Sequence, residues 1–165
     1  MSPQKGPFRN GSCHGQFFSE ARGLAEYKFR VSGGGHALSS QTGLNLTNTY
    51  LHLEDGPGAV AIRVDDDFWQ TLNSRTDLND GRLVCNFQMS EDWAYWEMHP
   101  AGDEIVYLLS GAIDFIYEQE ESRVVELRGR VACIVPRGVW HRAIVHRPSE
   151  VLTITRGAGT QHRSL

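Results

Sequence analysis

Four side chains in this sequence have the types and the spacing to hold a cation. Glu97 and His99 stand two residues apart in the run Trp93–His99, and Glu104 follows the turn Pro100-Ala101-Gly102. His141 closes a second run, Pro136-Arg137-Gly138-Val139-Trp140-His141. Alternate side chains of an extended strand share a face, so Glu97 and His99 point the same way. The turn can bring Glu104 back beside them, and the Pro-x-Gly turn feeds His141 into another apolar strand. Two carboxylates and two imidazoles converging inside one β-structure describe a divalent metal site. The competing reading is a metal-free network in which a buried glutamate is hydrogen-bonded to a histidine.

The elements that must position these groups follow from parity. Trp93, Tyr95, Glu97 and His99 share one face of their strand, and Trp96 and Met98 the other. Glu104 is in phase with Val106 and Leu108, and His141 with Ala143 and Val145. A face that mixes Glu and His with small apolar residues belongs to the inside of a barrel. Trp93, Tyr95 and Met89 are candidates to line a pocket for a small organic molecule, against the plainer reading of aromatic core. Asp103, of opposite parity to Glu104, is expected to face outward or cap the turn. His14 and His36 lie in a polar segment and read as solvated. His162 follows the last strand within reach of the barrel mouth.

From Tyr50 onward the chain has the texture of a β-protein. Tyr50–Leu53, Ala59–Val64, Arg82–Met89, Trp93–His99, Glu104–Leu109, Ile113–Glu118, Arg123–Leu127, Val131–Val135, Trp140–Val145 and Val151–Thr155 read as strands. Glu54–Gly58, Asn79-Asp80-Gly81, Gly111, Arg128-Gly129 and Pro148 supply the turns between them. Short strands at this spacing predict an antiparallel sandwich or barrel. Asp65-Asp66-Asp67 ahead of Phe68–Leu72 suits the start of a short helical cap. The triplet lacks the glycine and distal glutamate of a calcium loop. Gly157–Arg163 reads as a glycine-rich exit.

Residues 1–48 have no sustained period. Gly33-Gly34-Gly35 and Ser39-Ser40 interrupt it, and a weak helix or strand signal spans Leu24–Val31. This predicts a flexible extension ahead of one domain over residues 49–165. The extension carries a net charge of +3 and the remainder −7, with no lysine after residue 48. No basic stripe matches a phosphate backbone, so nucleic acid is not an expected partner. No apolar run is long enough for a membrane span, and no secretory leader is evident. The three cysteines at 13, 85 and 133 form no CxxC pair, which fits a reducing, cytoplasmic setting.

The two runs together resemble the motifs of the cupin superfamily. The first motif of that family pairs two histidines around one residue, then a glutamate and a glycine. His99, Glu104 and Gly111 match it, and Glu97 stands where the first histidine would be. Gly129, Pro136, Gly138 and His141 are similar to the second motif, with one extra residue between Gly129 and Pro136. The resemblance covers about Tyr50 to Arg163. It implies an all-β fold, a cupin-type double-stranded β-helix (jelly-roll barrel), and a homodimer. It also implies a metal site of His99, Glu104 and His141, with Glu97 as a fourth ligand or as a catalytic base beside a three-ligand site. Exchange of one imidazole for a carboxylate favours Fe²⁺ or Mn²⁺, with Zn²⁺ and Ni²⁺ still compatible. The function expected is a metal-dependent oxygenase or isomerase acting on a small organic molecule. The alternative is a non-catalytic module that senses or binds a metal or metabolite.

Overall fold

The computed structural model describes residues 30–31, 43–119 and 122–165. Most of the expected extension, with His14, His36, Cys13 and residues 24–29, lies outside the described residues. The strands are β1 (Arg30–Val31), β2 (Thr49–Leu53), β3 (Ala59–Arg63), β4 (Arg82–Met89) and β5 (Tyr95–Met98). They continue as β6 (Glu104–Glu118), β7 (Arg123–Arg128), β8 (Val131–Val135), β9 (Trp140–Thr155) and β10 (Gln161–Ser164). The one α-helical turn among the described residues, α1 (Phe68–Thr71), runs on through the 3₁₀ turns Leu72–Ser74 and Thr76–Leu78. It forms the cap expected after the three aspartates, and Phe68 is its buried anchor. No helix among the described residues is long and apolar enough to cross a membrane.

The architecture is the expected all-β double-stranded β-helix, and two long strands make it. Residues 104–108 of β6 pair with β8 on one side and with residues 151–154 of β9 on the other. β9 pairs onward to β4, then β2, β3 and the parallel β1. That is one sheet. Residues 112–117 of β6 pair with β7 and with residues 141–147 of β9, which continues through Glu97 to β5 and then β10. That is the second.

Two of the turns expected from the sequence do not form. Gly111 and Pro148 do not end strands; β6 and β9 run straight through them and change sheets there. The register of the pair shifts between Leu108 and Ile113, the mark of β-bulges. Gly111 has φ +99°, and the Ser149 hydroxyl accepts from the Ala112 N–H at 3.0 Å while donating to the Arg147 carbonyl at 2.7 Å. Pro148, which has no N–H to give a ladder, is tolerated because it sits at that irregularity. The bulge re-aims both strands so that each contributes to both sheets.

The inward faces fill the barrel. Val106, Leu108, Ile113, Ala143 and Val151 are wholly buried, and Phe115 and Val135 nearly so. Met89 belongs to this core. A second cluster of Tyr50, Ile62, Phe68, Leu78 and Leu83 joins β2, β3 and β4 to the cap. Cys85 and Cys133 are free and buried, as expected of small apolar residues. Burial pushes the Cys85 thiol well up, so it is not a thiolate nucleophile.

Candidate metal centre

β5 pairs with β10 throughout its length and with β9 at the single pair Glu97↔His141. That pair sets Glu97 beside His141 across two strands. His99 follows on the same face, where its carbonyl accepts from the Gly138 N–H at 3.0 Å. Glu104 opens β6 from the other sheet. Asp103 faces outward and accepts from the Arg137 N–H at 2.8 Å, capping the second turn.

The four expected side chains converge. Glu97, His99 and His141 each offer an atom within 4.8 Å of the others, a spacing that one cation can bridge. Glu97 Oε2 lies 3.8 Å from His99 Nε2 and 3.9 Å from His141 Nε2. Glu104 Oε2 is 3.5 Å and 3.2 Å from the same two nitrogens. His141 is fully buried and His99 and Glu104 nearly so, while the Glu97 side chain keeps 17% of its surface.

Neighbouring hydrogen bonds fix which atoms face inward. Nδ1 of His141 donates to the Val139 carbonyl at 3.1 Å, which leaves Nε2 as a bare lone pair. Thr160 gives its own proton to the Gly157 carbonyl at 2.8 Å, so its oxygen accepts from His99 Nδ1 at 2.9 Å. His99 Nε2 is therefore also a lone pair. Glu104 Oε1 accepts from the Thr155 hydroxyl at 2.6 Å, and Oε2 is turned inward. His99 Nε2, His141 Nε2 and Glu104 Oε2 are buried without a hydrogen-bond partner.

Three acceptor atoms packed together with no donor between them repel one another unless a cation sits among them. A proton is the least that suffices. Burial alone would lower the His99 pKa, but the Glu104 and Glu97 carboxylates outweigh it and push it up. Burial likewise opposes the Glu104 carboxylate, yet His141 and His99 bring its pKa down to about 2. A divalent ion meets the same demand with higher charge, and a donor set of two nitrogens and two oxygens suits one. The residues fit the group.

One element of the site was not foreseen. The exit segment forms β10, and its His162 pairs with Glu97 in register. His162 Nε2 donates to Glu97 Oε1 at 3.0 Å. Thr160 and His162 thus orient two of the four side chains from a single short segment. β10 is exposed at every residue, so it lacks the apolar alternation that announces a strand.

The cluster lies against a cavity of about 1030 Å³, lined in part by Glu97, His99, Glu104, Trp93 and Tyr95. Met89 is not on that wall; it shares a β4 face with Cys85 and Phe87, which are, but lies further along the strand, packed in the core. His52 and His146 stand elsewhere, contacting the Asp80 carbonyl and Asp114.

No protein-family model matches the chain, and no curated protein does. Among solved structures it is similar to a cupin-2 domain protein from Shewanella frigidimarina, at 15% identity and TM-score 0.40, over 44% of this chain and 68% of that one. A protein with a double-stranded β-helix domain from Klebsiella pneumoniae matches at 19% identity and TM-score 0.43, over 51% of this chain and 76% of that one. A hydroquinone 1,2-dioxygenase from Sphingomonas sp. TTNP3 matches at 15% identity and TM-score 0.38, over 45% and 58%. Matches this distant carry nothing about chemistry, which rests on the side chains above.

Proposed function

We propose that Glu97, His99, Glu104 and His141 hold one divalent ion, Fe²⁺ or Mn²⁺ by preference, and that the protein is an oxygenase or isomerase acting on a small organic molecule in the adjoining cavity. The observation that carries this reading is the trio of buried, unpartnered atoms His99 Nε2, His141 Nε2 and Glu104 Oε2 beside Glu97 Oε2. Bound there, such an ion supplies Lewis-acid polarisation of a substrate oxygen and, if it is iron, oxygen chemistry. The protein's own part is to turn Nε2 of both imidazoles inward and to shield the cluster from bulk water. Glu97, the most exposed of the four, is placed to take a proton from a bound molecule.

Elemental analysis of the untagged protein by plasma mass spectrometry tests the reading. Near-stoichiometric iron or manganese is the expected result. No metal, even after reconstitution, would overturn it. Glu97→Gln separates two roles: retained metal with turnover abolished makes Glu97 the base, and lost metal makes it a ligand.

The hydrogen bond from His99 to Thr160 gives a further expectation. Outer partners of this kind are worth about 10–100-fold in metal affinity. Thr160→Val is isosteric and should weaken Mn²⁺ binding by about 10-fold or more in a competition titration. The melting temperature of the metal-free protein should move little, because Thr160 is only partly buried.

A further inference from the structure

Resting on that reading, we infer that the molecule this cavity takes is an uncharged aromatic compound, held against the rings of Trp69, Phe87, Trp93 and Tyr95. All four residues line the cavity. Trp93 and Tyr95 stack at 5.7 Å with their planes 19° apart on the β5 side. Trp69 meets Phe87 edge-on at 6.0 Å on the side of the cap. Trp69 is 53% exposed and Tyr95 40%, unusually open for large rings on the wall of a concavity. Apolar surface left open in a concave wall is what an aromatic ligand covers.

Charge decides the rest. Every cationic side chain on the lining is already committed. Arg75 grips Asp77 with two bonds, at 2.8 and 2.7 Å. Arg163 pairs with Glu118 and lies 4.6 Å over the Trp140 ring. His162 is held by Glu97. At the floor, the carboxylates of Glu97 and Glu104 cancel the double charge of the ion they hold. A cupin-like site with three imidazoles and one carboxylate would keep a positive charge there; this one does not. An anionic ligand would be desolvated with no cation to receive it. A cationic one would likewise be desolvated with no carboxylate to receive it, since both at the floor are taken by the ion. An uncharged ring loses nothing on entry and gains the burial of its faces.

Three probes of one shape test this by isothermal titration calorimetry: 2-naphthylmethanol, 2-naphthoate and 2-naphthylmethylammonium. Protein loaded with Mn²⁺ is expected to bind the alcohol about ten-fold more tightly than either charged probe. Trp69→Ala, at an exposed position, should weaken the alcohol about five-fold or more with Mn²⁺ content unchanged. Trp96→Phe, off the lining, should leave it unchanged. Equal or tighter binding of the naphthoate or the ammonium overturns the inference, and so does a Trp69→Ala protein that binds as the wild type does. A protein that takes up no Mn²⁺ overturns the metal reading instead. The alcohol-against-naphthoate preference of the metal-free protein then decides the inference by itself, since its floor holds two carboxylates and no ion.

Discussion

Gly111→Ala protein is expected to melt about 8–16 °C below the wild type, the shift that about 4 kcal/mol produces in a domain of this size. A Cβ at Gly111 would lie 2.1 Å from Ser149 Oγ, 2.5 Å from Ser149 Cα and 2.6 Å from the Pro148 carbonyl oxygen. The last two are backbone atoms of the opposing strand, and no rotamer change relieves them. The φ of +99° adds strain for any L side chain. Relief requires moving β6 away from β9 at the point where both change sheets. Gly129→Ala is the matched comparison. Gly129 has φ +78°, but nothing stands within 4 Å of its added Cβ. It should lose only about 1–2 kcal/mol, the cost of the left-handed conformation alone. Equal melting temperatures for the two variants, followed by circular dichroism, would show that the crossing is not tightly packed.

The second large effect concerns His141. Wild-type protein in thousand-fold excess of metal over Kd should gain about 4 kcal/mol of stability. His141→Ala removes one of the inward lone pairs and leaves Glu104 Oε2 facing a void, so bound metal and the metal-induced rise in melting temperature should both vanish. The comparison is between melts with and without metal, because loss of a fully buried side chain lowers the baseline anyway. His99→Ala should behave likewise. Stoichiometric metal in both variants would sink the assignment. The pH dependence has a definite sign. The folded pKa of His99 lies above its ordinary 6.5, so below that value a proton stabilises the metal-free fold and competes with metal at Nε2. The metal-induced rise should therefore shrink as pH falls through the raised pKa, at higher pH than an unperturbed histidine would dictate.

Much of this was legible in the sequence. β4 and β8 fall on the residues that alternation marked, and the Glu97, His99, Glu104 and His141 parity brought four side chains to one place. What escaped has physical causes. Glycine and proline are the strongest local punctuation, and only tertiary pairing shows that Gly111 and Pro148 sit opposite each other in one bulged ladder. Met89 was placed by type, yet its neighbours turn it into the core. β10 escaped because it is held through its backbone pairing with β5 and offers no apolar face. The one available hint was that His162 and Thr160 share parity beyond the last strand.

The docking of β10 has a consequence for exchange. His162 within that strand and Thr160 just before it hold the Glu97 carboxylate and the His99 imidazole, and the residues of β10 are all exposed. Fraying of that strand would free the imidazole to flip and the carboxylate to swing. The proposed ion would then come and go at a rate set by how often β10 lifts, and not by the stability of the barrel as a whole.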